Sequence, residues 1–155
     1  MHLPRRSAWR VPTALGIALA LVVAACAGGS PTPAPERPVV SDAWVRPPMG
    51  PDRPAAAYLT ITGSVADDAL IGASSPTAAS VELHETMMGS DGSMGMHAVE
   101  RIEIAAGATV RLEPGGYHLM LMRVTNLPAI GELVEITLTF GGAGDVVIQA
   151  EVRAG

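Results

Sequence analysis

The sequence has no lysine, a single cysteine (Cys26), one phenylalanine and only 3% aromatic residues, and its charged fraction is 16%. Each shortage removes a class of function. One cysteine permits neither an internal disulfide nor a paired-thiolate metal site. Ten arginines against fifteen acids leave a net charge of −5. An acidic, aromatic-poor chain lacks the basic footprint that nucleic acid requires, so no nucleic-acid partner is expected. There is no nucleophile elbow, no phosphate-cradling glycine loop and no cysteine pair. "GGAG" and "PGG" open no predicted helix and read as turns. The chain therefore reads as a non-enzyme. Helical periodicity is nearly absent as well.

What is present begins with a leader. Arg5, Arg6 and Arg10 precede an apolar run from Ala14 to Ala25, which ends at Cys26. That order of charge, apolar run and small residues is a secretory signal, and the run is too short to favour a membrane span of ~20 residues. Its end, "LVVAAC", resembles a bacterial lipobox. We therefore expect residues 1–26 to be a lipoprotein-type signal peptide, with Cys26 lipidated and the protein held outside the cytoplasm on a membrane. Without this leader seven arginines face fifteen acids, a net charge of −8. Residues 27–38, "AGGSPTPAPERP", read as an extended, semi-rigid linker. A folded domain is expected over 39–155.

Within that domain short alternating runs recur between Gly, Pro, Asp and Ser clusters, the pattern of an all-β fold. Strands are predicted at 39–45, 55–62, 66–74, 79–86, 96–104, 109–113, 117–124, 132–140 and 145–152. Their number and spacing predict a two-sheet β-sandwich or barrel. Asp91-Gly92 is expected at the tip of a hairpin turn.

Two stretches carry chemistry. "YHLMLM" (117–122) alternates His118, Met120 and Met122 with Leu119 and Leu121, so the imidazole and both thioethers share one strand face. "LHETMMGSDGSMGMH" (83–97) adds His84, His97 and four methionines. This is either a sulfur-rich core with stray histidines or a site for a soft metal. His84 and Met96 flank the predicted hairpin, so their strand ends can meet. If that hairpin neighbours the 117–124 strand, His84, Met96, His118 and Met120 converge as two nitrogens and two sulfurs. Thioether sulfur suits Cu(I). It is a poor ligand for Mg²⁺ and Ca²⁺, and Zn²⁺ prefers thiolate, imidazole and carboxylate. No Cys ligand of the blue-copper kind is available, so electron transfer is not the expected role.

The region from Val81 to Met122 resembles the PCuAC family of extracytoplasmic copper chaperones. The family motif is His, an optional Met, ten residues, Met, twenty-one residues, then His-X-Met. His84, Glu85 at the optional position, residues 86–95, Met96, residues 97–117 and His118-Leu119-Met120 match it. "SDAWVRPP", "VELHE" and "AAGATVRLEPGGYHLMLM" are also similar to family sequences. The resemblance implies a cupredoxin-like (Ig-like) fold and a Cu(I) site near the surface. It also implies delivery to a membrane copper enzyme or its assembly factor, chiefly the CuA centre of cytochrome c oxidase. A copper buffer or resistance lipoprotein, a metal-free structural or adhesion sandwich and a redox enzyme using Cu(II) or Zn²⁺ are the competing readings.

Neighbouring residues carry weaker signals. His97 should face away from Met96 and read as a surface residue. Met94 shares Met96's face and is a spare sulfur or a loop residue. Met87 and Met88 assist capture or pack. Met122 is expected to pack beside the site, and Met49 lies in a Pro-rich loop as a candidate for shielding or docking or simply a loop residue. Trp44 and Tyr58 read as core or half-core aromatics.

Overall fold

The computed structural model describes residues 34–50, 52–90 and 92–154, and it contains no helix among them. Ten strands follow in order: β1 (Val39–Arg46), β2 (Ala55–Thr62), β3 (Asp68–Ser74), β4 (Ala78–Met88), β5 (Met94–Ala98), β6 (Ile102–Ile104), β7 (Thr109–Leu112), β8 (Tyr117–Val124), β9 (Leu133–Phe140) and β10 (Gly144–Val152). They form one sheet in the order β5-β4-β8-β7-β2-β1-β10-β9-β3-β6, with further pairings β4–β3 and β8–β2. The β4–β3 pairing, Ala73 opposite Val81, closes the sheet on itself. The two faces expected of a sandwich are thus joined by hydrogen bonds into a barrel.

The interior follows from alternation. Leu83 of β4, Leu119 and Leu121 of β8, and Val134, Ile136, Leu138 and Phe140 of β9 are all buried, together with Val45, Leu59 and Ile61. Their intervening neighbours point outward. Deleting one such side chain, as in Leu119→Ala, should cost about 2–5 kcal/mol. Strand β2 departs from simple alternation. Ala55, Ala56, Ala57, Tyr58 and Leu59 are all buried, and the outward-facing Tyr58 ring is flanked by Trp44, Arg46 and His118 of the neighbouring strands. That explains the continuous apolar "AAAYL".

The 96–104 segment, predicted as one strand, is two. β5 pairs with β4, whereas β6 pairs with β3, so the chain leaves one partner for another near Val99–Arg101.

The stretch Glu113-Pro114-Gly115-Gly116 matters most for the site. β7 and β8 both lie antiparallel to β2, one beside Leu59–Thr62 and the other beside Ala55–Ala57. The four residues between them loop out. The Gly116 N–H donates to the Glu113 carbonyl at 3.0 Å, and Gly115 has φ +91°. Proline at the second position and a positive-φ glycine at the third are the signature of a type II turn. The turn sets the Gly116 carbonyl immediately before β8.

Candidate metal centre

Strands β5, β4 and β8 lie side by side at one end of the sheet. Between β4 and β8 the antiparallel register places His84 opposite His118, and Glu82 opposite Met120. Between β4 and β5 it places His84 opposite Ala98, and Thr86 opposite Met96. Period-two alternation then puts His84, Met96, His118 and Met120 on one face, away from Leu83, Leu119 and Leu121. Met96 is one pair along β5 from the His84 row, and Met120 one pair along β8 in the other direction. The hairpin is longer than predicted: β4 continues to Met88 and β5 starts at Met94. Of its turn, Asp91 lies outside the described residues, as does Cys26. Gly92 takes φ +81°.

The two imidazoles are neighbours, with ring centroids 5.9 Å apart. His118 is 3% exposed. Its Nδ1 lies 3.1 Å from the Gly116 carbonyl oxygen, which can only accept, so Nδ1 carries the proton and Nε2 keeps a lone pair. His84 Nε2 lies 3.1 Å from Glu82 Oε2. Toward that carboxylate His84 donates from Nε2, which leaves its Nδ1 lone pair free. Among the described residues, His84 Nδ1 and His118 Nε2 are the two buried side-chain N or O atoms without a hydrogen-bond partner. Buried polar atoms are normally satisfied, and leaving one unpaired costs about 1–3 kcal/mol. Here two such atoms belong to adjacent rings, each fixed by its other nitrogen. Metal-binding imidazoles are oriented in this way.

The electrostatics disfavour the protonated form of His118. Burial is the largest cause that holds its pKa below the ordinary value of 6.5; the Gly116 carbonyl works in the opposite direction, and His84 and Arg46 lower it further. Arg46 sits over the Tyr58 ring at 5.6 Å, and Tyr58 lies 6.3 Å from His118, centroid to centroid. Trp44 stacks beside Tyr58 at 4.6 Å. Tyr58 therefore forms part of the wall of the site, with Trp44 packed behind it. A cleft of about 290 Å³ opens over it, lined by Arg46, Met49, Tyr58, Met96, His118 and Met120 among others. His84 sits beside this cleft rather than in its lining.

The secondary candidates separate by face. His97 pairs with Glu85 and is exposed on the side opposite Met96. Glu85, at the motif's optional position, pairs with Tyr117 and also faces away from His84. Met94 shares Met96's face, opposite Met88. Met122 is half-buried and opposite Ser80. Met49 is 80% exposed at the cleft mouth. Sequence reasoning missed Glu82 and Gly116, the groups that set the two tautomers. Glu82 carried a signal, since it lies two residues before His84 and so on the same strand face.

A family model described as "Putative lipoprotein LpqE-like" matches residues 39–152. The chain belongs to this LpqE-like family. A curated relative, "Putative lipoprotein Lxx21020" from Leifsonia xyli subsp. xyli, is 32% identical over 114 residues, which are 74% of this chain and 68% of the relative. The fold is that of solved PCuAC domains. The copper-bound PCuAC domain from PmoF2 superposes with TM-score 0.66 at 27% identity, over 79% of this chain and 97% of that domain. The Cu(I) form of DR1885 from Deinococcus radiodurans gives TM-score 0.61 at 32% identity, over 83% of this chain and 84% of that one. The cupredoxin-like all-β expectation and the PCuAC resemblance are thereby borne out.

Proposed function

We propose that this LpqE-like protein is an extracytoplasmic Cu(I) carrier, anchored by a lipid on Cys26, whose cargo is held by His84, Met96, His118 and Met120. The observation that carries the reading is the pair of buried, unpartnered lone pairs on His84 Nδ1 and His118 Nε2 in adjacent rings, with His118 lining a cleft that Met96 and Met120 also line. Among the described residues no three His, Cys, Asp or Glu side chains gather as a metal site. A fuller donor set around the imidazoles therefore draws on thioether sulfur. That combination favours Cu(I) over hard cations. The relatives solved with copper, one of them with Cu(I), support the same cargo.

The exposure gradient suggests how the ion leaves. Met96 is 62% exposed on the edge strand β5, whereas His118 is 3% exposed. An incoming thiolate reaches the Met96 side first and displaces that thioether. Met120 and the imidazoles follow, the buried His118 last. The absence of a protein thiolate keeps the site weaker than a cysteine-based acceptor, so transfer runs downhill. The acceptor in this reading is a membrane copper enzyme or its assembly factor, with the CuA centre of cytochrome c oxidase as destination.

Titration with Cu(I) against a chromophoric chelator under reducing conditions tests the site. The wild type should hold one tight equivalent, and His118→Ala combined with Met120→Ala should lose it. Deletion of the gene tests delivery. Oxidase activity should fall and return with added copper, whereas copper sensitivity alone would indicate a buffer.

A further inference from the structure

Methionine is placed unusually in this molecule. Seven of its eight methionines lie among the described residues, and none belongs to the buried core. Methionine's common use as an adaptable core filler is therefore not its use here. Four of the seven, Met87, Met88, Met94 and Met96, sit on the β4–β5 hairpin, with exposures of 52%, 72%, 60% and 62%. Isolated exposed apolar side chains are ordinary. Four on one two-stranded hairpin, all sulfur-bearing, are not accounted for by packing.

The register sorts them. Met88 is directly opposite Met94 in the last pair of the hairpin, and Met96 is opposite Thr86 in the next pair on the same face. Met87, opposite Gly95, is on the other face. Directly opposed residues have Cβ atoms ~5 Å apart, and same-face neighbours along a strand repeat every two residues. Met88 and Met94 thus stand side by side, and Met96 leads from them toward the imidazole pair. Each thioether has three rotatable bonds, which lets two sulfurs converge on one ion without moving the backbone.

We propose that Met88 and Met94 form an accessory Cu(I) site made of thioether donors alone, which takes up the ion at the exposed end of the hairpin and passes it by way of Met96 to His84 and His118. The proposal rests on the reading of the imidazole pair as a Cu(I) site. Thioethers are soft neutral ligands that match Cu(I) and discriminate against Mg²⁺, Ca²⁺ and Zn²⁺. With two neutral donors and full solvent access, the accessory site is weaker than the mixed nitrogen and sulfur site. That order gives the ion a downhill path inward. No bond other than metal–ligand bonds changes, and copper remains Cu(I) throughout.

The test is NMR of the protein labelled at the methionine methyl carbon, titrated anaerobically with Cu(I) supplied as its acetonitrile complex. The Met96 and Met120 methyl signals should move to completion with the first equivalent. The Met88 and Met94 signals should then move together as more copper is added. In His84→Ala combined with His118→Ala, the Met88 and Met94 signals should still respond. In Met88→Leu combined with Met94→Leu, which keeps apolar bulk on an exposed hairpin, the first equivalent should bind unchanged and the later uptake should be lost. Stationary Met88 and Met94 signals beside moving Met96 and Met120 signals overturn this inference and leave the primary site standing. Unchanged later uptake in the leucine variant also overturns it. If no methionine signal moves in the wild type, both readings fail.

Discussion

Replacing His118 by leucine separates a structural histidine from a ligand. The side chain is 3% exposed, and its Nε2 is buried without a partner. Removing that atom relieves a desolvation cost of about 1–3 kcal/mol. The substitution also deletes the bond from Nδ1 to the Gly116 carbonyl, worth about 1 kcal/mol. That carbonyl is not orphaned, because the Thr86 N–H donates to it at 3.0 Å. Leucine has a similar volume, so no large cavity opens. The metal-free variant should therefore be more stable than the wild type by roughly 1 kcal/mol, which raises Tm by about 4 °C in a domain of this size. Thermal and urea unfolding in the presence of a copper chelator measures this. Cu(I) binding should be lost in the same variant. A metal-free variant destabilised by more than about 1 kcal/mol would mean that His118 serves the fold through contacts the argument overlooks, and would refute the reasoning.

Other predictions follow from the same geometry. Glu82→Ala removes the acceptor that orients His84 and should weaken Cu(I) about tenfold, near the lower end for such supporting groups because Glu82 is half-exposed and water can replace it; chelator competition reads the change. The lowered pKa of His118 sets a pH dependence for the metal-free protein. Its folded state disfavours the proton, so the contribution is complete above the ordinary histidine value of 6.5 and is lost as pH falls through the lower folded value. Urea unfolding from pH 7.5 downward should show that loss, and His118→Leu should remove it. Asp68 accepts backbone N–H bonds from Ala69, Gly142 and Ala143 at 2.8, 2.7 and 2.9 Å. Asp68→Ala should cost about 2 kcal/mol by chemical denaturation without altering Cu(I) affinity.

Much of this site was legible in the sequence because its face obeys the two-residue period. His118 and Met120 had to point together, and Leu119 and Leu121 had to point into the barrel. The spacing of His84, Met96 and His118 carried the family resemblance. Alternation along one strand does not name its neighbour. That β4 lies directly against β8, with His84 opposite His118, is a long-range pairing no local pattern encodes. Nor did the pattern reveal that the 96–104 segment changes partner midway. The His118 tautomer was out of reach for a related reason. His118 is set by a backbone carbonyl whose position depends on the looped-out Glu113–Gly116 turn, and carbonyls leave no mark on residue choice. Burial of Tyr58 on the outer face of β2 depends on Trp44, Arg46 and His118 from neighbouring strands, and a core or half-core expectation was as far as composition could lead.

The claim on which the account rests is that imidazole nitrogen and thioether sulfur share one cuprous ion. X-ray absorption at the copper edge of the protein loaded with one equivalent of Cu(I) tests it most directly. The account predicts a first shell containing both nitrogen and sulfur scatterers, with the sulfur contribution reduced in Met120→Ala. A shell of nitrogen and oxygen alone, unchanged by that substitution, would contradict it.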